Sequence, residues 1–111
     1  VYHDVYWVSA DDGWPKVDVN SVLHQIVRAL KPGGVVLVVD HSAKAGTGSS
    51  AAQDLHRIDE AFAQEDFESH GLKRVGRSNV LRRPDDARDE ITYKGPMVGK
   101  TDRFVFVFKK P

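Results

Sequence analysis

The chain is expected to fold as one α/β domain spanning residues 1–111, and three observations predict that class. Apolar residues at the helical period run up to a turn at "KPGG",. The run "VVLVVD" directly after that turn is apolar without alternation, the pattern of a strand buried on both faces,. Near the C-terminus, "RFVFVFKK" sets Phe104, Phe106 and Phe108 on one face and Val105 and Val107 on the other, so this strand is also expected inside a sheet,.

The elements follow in order. The opening "VYHDV" reads as the exit of a β-strand, with His3 and Asp4 set between aromatic residues, and "SADDGWPK" reads as a loop of turn formers,. Val19, Val22, Leu23, Ile26, Val27 and Leu30 then draw one stripe of a helix that Asp18 caps and Lys31 to Gly34 stop,. After the strand ending at Asp40 comes "HSAKAGTGSSAAQD", a long small-residue loop of the kind a ligand orders,. A second helix is expected from about Asp59 to His70, with Ala63, Phe67 and His70 on its stripe, Phe62 flanking it and Gly71 ending it,. "LKRVGRSNVL" is a weaker strand interrupted at Gly76, and a polar loop leads from it to the phenylalanine-rich strand,. The last strand is expected to slot between the other two.

Composition narrows the function. Sixteen basic residues balance sixteen acidic ones, so no long-range field favours nucleic acid or an anionic membrane. The absence of cysteine excludes disulfides and thiolate metal sites,. No apolar run approaches the roughly 20 residues of a membrane span and no secretory leader is recognisable, so a soluble cytoplasmic protein is expected.

The segment "LKPGGVVLVVDH" resembles the turn and fifth strand of class I S-adenosylmethionine-dependent methyltransferases. More narrowly, "YHD", "LKPGG", "VVDHSAKAGTG", "LHRID", "LRRPDD" and "GKTDRFVFVFKKP", in this order, are similar to a bacterial group of predicted methyltransferases of that superfamily. The resemblance implies that the chain is the C-terminal half of such a domain. It further implies a partial Rossmann-like sheet of about three strands in the order fifth, seventh, sixth, with two main helices. The family's cofactor is S-adenosylmethionine, gripped by a glycine-rich turn and an acidic strand end in the N-terminal half. "AGTGSS" lacks the G-x-G-x-x-G spacing, so cofactor binding by this chain alone is not expected,.

Family topology brings the polar motifs to one rim of the sheet, where open α/β folds bind ligands. The resemblance makes Tyr2, His3 and Asp4 candidates for contact with cofactor or substrate. Asp40 and His41 are either a general-base pair, the carboxylate orienting the imidazole, or a strand-end turn in which Asp40 receives backbone donors. His56 and Arg57 either bind an anionic group or form a network in which Arg57 pairs with Asp40 or Asp102. Asp102 and Arg103 carry the same alternatives, whereas His24 and His70 are expected at the surface or at the edge of the core. His3, His41 and His56 show no local metal-ligand spacing, so no metal site is expected. Two functions stand side by side: a truncated methyltransferase keeping its substrate-side rim, or a non-catalytic protein that binds a small molecule or assembles with itself. With the first strands missing, the edge Val35–Asp40 is exposed, and pairing of two such edges is expected to give a homodimer.

Overall fold

The computed structural model describes residues 1–111. The chain opens not with a strand exit but with a 3-10 helix, Tyr2–Tyr6. Its aromatic side chains hold it down: Tyr2 lies 4.9 Å from Phe67 and Tyr6 lies 5.5 Å from Phe62, ring centre to ring centre. Both tyrosine hydroxyls donate to Asp66, which fixes this turn against the helix that carries Phe62 and Phe67.

Helix α1 covers Val19–Ala29, and Asp18 caps it by accepting from the Ser21 N–H at 3.2 Å. The turn after it has Gly33 at φ 81°, and a Cβ on Gly34 would lie 2.9 Å from the Lys31 carbonyl oxygen, so both glycines are required there,. Strand β1 follows at Val35–His41. Within the stretch expected as a loop, one helical turn, α2, forms at Ala52–Leu55 around the fully buried Ala52. Helix α3, Glu60–Ser69, lies within a residue of its expected bounds, with Asp59 as cap and Ala63 and Phe67 facing the core. Strands β2, Lys73–Ser78, and β3, Arg103–Lys109, complete the molecule.

Strand β3 lies between β1 and β2 and is antiparallel to both. The register sets Val36 opposite Phe108, Val38 opposite Phe106 and Asp40 opposite Phe104, so these side chains share a face. Leu23 of α1 and Phe67 of α3 join Val38, Phe104, Phe106 and Phe108 in one core, which places both helices over that face.

The other face corrects an expectation. Strand β1 is buried on one side only, because no helix covers its second side; Val35 is 56% exposed and Leu37 63%. Only β3, flanked by strands on both edges, buries residues on both faces. The outer edge of β1 is also bare, as no loop or second strand hydrogen-bonds to the backbone of Val35 to Asp40 from that side. Trp7 and Trp14 pack on one another, and Trp7 also packs toward His56.

Candidate functional site

The site is built at the C-terminal end of β1. Strand alternation turns Asp40 toward the core, where it is 1% exposed,. Its carboxylate accepts from the His3 N–H at 2.6 Å, the His41 N–H at 2.7 Å and the His3 ring Nδ1 at 2.7 Å. A carboxylate can only accept, so His3 Nδ1 carries a proton, and in the neutral form of the ring Nε2 is the unprotonated nitrogen,.

Asp40 therefore orients His3 and not His41. The expected Asp40–His41 ring pair fails because successive strand residues point to opposite faces. From His41, Asp40 takes only the backbone N–H, while the His41 ring is 2.7 Å from the Thr101 hydroxyl. Burial lowers the pKa of His41, and the His3, Arg103 and Arg57 charges add to that against the opposing pull of Asp40.

His3 Nε2 meets two further groups, His56 Nδ1 at 3.2 Å and Asp4 Oδ1 at 3.2 Å. His56 reaches this point from the C-terminal end of α2 in the left-handed conformation, φ 55° and ψ 45°, which non-glycine residues seldom adopt,. Its ring is held edge-on by Tyr93 at 4.6 Å, with Trp7 at 5.6 Å. Burial, then the neighbouring His3, lowers the pKa of His56, opposed by Asp4 and Asp40. A cavity of about 490 Å³ opens over these groups, bounded by His3, Asp4, Trp7, His41, His56 and Tyr93. That volume suits a small molecule.

The remaining candidates sort into structure and rim. Tyr2 is turned away from the cavity onto Asp66, and burial followed by that hydrogen bond raises its pKa far above the ordinary phenol. Arg57 is wholly buried and pairs with neither Asp40 nor Asp102. It forms a two-pronged contact with Asp86 at 2.7 and 3.1 Å and donates to the carbonyls of Ser42 and Glu90. Asp40 is already filled by His3 and His41, and Asp102 receives Arg82 at 2.9 Å, Arg88 at 3.0 Å and the Arg83 N–H at 2.7 Å. Four of the five N–H donors of Arg57 are thus used inside the protein, and its complete burial keeps it from the cavity,. Arg103 stands apart, in a smaller cavity of about 220 Å³ beside His41 and Thr101.

Sequence reasoning missed Tyr93, and it set Asp86 and Thr101 on the rim only as members of the stretches Arg82 to Asp86 and Lys100 to Arg103, without their partners; all three come to the site from 40 or more residues away from β1. No local spacing marks them. No known family, curated protein or solved structure matches this chain.

Proposed function

We propose that the chain is the acceptor-side half of an S-adenosylmethionine-dependent methyltransferase-like domain, with β1, β2 and β3 standing as the fifth, sixth and seventh strands of a Rossmann-like sheet. One observation supports this most: an apolar sheet face and an adjoining strand edge, carrying Val35 and Leu37, lie bare beside a polar cavity at the C-terminal end of β1. That is where the earlier strands and their helices would pack, and open α/β sheets bind ligands at this end.

S-adenosylmethionine, when bound, supplies the methyl group. The residues of this chain do not fit it in the family's manner, because the glycines after β1 are already committed. Gly46 and Gly48 direct their N–H groups to Asp59 Oδ2 at 3.0 and 3.4 Å. The cofactor grip therefore belongs to a segment outside these residues. The chain's own contribution is the acceptor pocket, where Asp40 fixes the His3 proton on Nδ1 and leaves Nε2 to receive a proton from an acceptor hydroxyl or amine,. Balanced charge favours a small acceptor over nucleic acid,.

The coding region ahead of Val1 tests this reading. It is expected to encode a strand and a glycine-rich turn, and calorimetry is expected to show micromolar S-adenosylmethionine binding by the extended chain and none by residues 1–111. An upstream region lacking those features, or an extended chain that leaves the cofactor unbound at millimolar concentration, overturns it. The same bare edge favours a second, non-catalytic reading, in which a second copy of this chain pairs along Val35–Asp40,.

A further inference from the structure

We infer that His3, Asp4 and His56 form a binding site for a divalent first-row transition ion of the zinc class. The inference does not rest on the methyltransferase reading, since ligand geometry alone decides whether the ion binds, and it replaces the role given to His3 there: with the ion bound, Nε2 is a ligand and no longer receives a proton,.

Three ligand atoms converge: His3 Nε2, Asp4 Oδ1 and His56 Nδ1, all within 4.8 Å of one another. Their separations are 3.2 Å between the rings, 3.2 Å from His3 to Asp4 and 4.0 Å from His56 to Asp4. A tetrahedral ion with bonds near 2.0–2.1 Å holds its ligand atoms about 3.3 Å apart. Two edges of that triangle are already in place. Asp4, with a side chain 34% exposed, has room to close the third.

The protonation pattern makes the point of convergence electron-rich. Asp40 holds the His3 proton on Nδ1, so Nε2 turns a lone pair toward the Asp4 carboxylate oxygen 3.2 Å away. The other Asp4 oxygen, Oδ2, accepts from the Val1 ammonium at 2.8 Å, so Oδ1 is the oxygen open to an ion. The His56 Nδ1–H can serve Nε2 but stands 4.0 Å from Asp4, too far for a hydrogen bond,. A cation among the three atoms satisfies all of them at once, and a second proton on His3 is its competitor.

The surroundings are those of a supported site. A carboxylate behind a histidine, here Asp40 behind His3, fixes the tautomer and orientation that a metal ligand needs. The His3 ring is 3% exposed and has no freedom to turn away. The left-handed backbone of His56 and the packing of Tyr93 hold the second ring in place. Two imidazoles and one carboxylate favour zinc, cobalt or nickel over magnesium or calcium, which prefer all-oxygen shells. Three protein ligands leave a fourth position toward the cavity for water or an acceptor hydroxyl, whose proton the ion would make easier to lose,.

Titration with zinc chloride and with cobalt(II) chloride, without any cofactor, tests the site. The expected result is one ion per chain at micromolar or tighter affinity, intense visible absorption from four-coordinate cobalt, and no response to magnesium. Asp4→Asn and His56→Gln are each expected to weaken zinc binding at least tenfold with an unchanged far-ultraviolet circular dichroism spectrum. Asp40→Asn is expected to weaken it about tenfold through His3 alone. Failure to saturate with zinc up to millimolar concentration overturns the inference. So does an equal loss in His24→Gln or His70→Gln, which would show chelation by histidines elsewhere in the chain.

Discussion

Asp40 receives three hydrogen bonds in a place that water does not reach. An asparagine there keeps the shape but turns one NH2 toward N–H groups that all donate, so at least one buried donor loses its partner. Asp40→Asn is expected to cost roughly 2 to 3 kcal/mol in urea unfolding. The loss should appear with the disappearance of the downfield Nδ1 proton resonance of His3, and a cost below about 0.5 kcal/mol would show that Asp40 does not organise the site. Asp40 was legible as a candidate because it ends an apolar strand. Its partner was not, since His3 lies 37 residues away and the adjacent His41 offered a nearer but wrong companion. The alternation of strand side chains already argues against Asp40 and His41 sharing a contact. The role of His56 left no mark in the sequence, because nothing local announces a left-handed histidine.

Among the elements, the long polar loop between β2 and β3 is the one that electrostatics must fold. Arg57, at the foot of α3, grips Asp86, which accepts the N–H groups of Arg88 and Asp102; Asp102 in turn gathers Arg82, Arg88 and the Arg83 N–H. Burial alone would raise both carboxyls. The hydrogen bonds and guanidinium charges outweigh it and hold both below the ordinary 3.8. Since the unfolded chain then binds more protons than the folded one in that range, the network's contribution is complete above about 3.8 and is lost as pH falls from there through the lowered folded values,. Urea midpoints measured from pH 7 to pH 3 are expected to fall at the acid end, with a shallower fall in Asp86→Asn. An equally steep fall in that variant would place the acid-sensitive groups elsewhere. Arg57→Met leaves Asp86 buried without its partner and is expected to cost about 3 to 5 kcal/mol at pH 7; Arg57→Lys should not restore the loss, lacking the planar fork. The sequence made α1, α3 and all three strands legible, since each is long enough for an apolar pattern or its interruption to show. Helix α2 and the opening 3-10 helix span a single turn or little more and are set by tertiary contacts, Ala52 in the core and the two tyrosines on Asp66.

At the scale of the whole molecule, the helices cover one face of the sheet and leave Val35 and Leu37 to solvent beside an unpaired edge. Apolar burial is worth about 25 cal/mol per Å², and an edge strand presents a ready row of backbone donors and acceptors. Residues 1–111 in isolation are therefore expected to self-associate, with light scattering giving twice the chain mass of 12.4 kDa at micromolar concentration. Leu37→Lys places a charge on the exposed face without touching the core, so it is expected to yield monomers whose urea midpoint no longer depends on protein concentration. A wild-type chain that stays monomeric under these conditions would show that the edge is adequately served by water. The extended chain then separates the two functional readings. If the missing strands of a methyltransferase sheet cover this face, adding them removes the association and creates cofactor binding together. If a second copy is the natural occupant, the dimer persists and no cofactor binds.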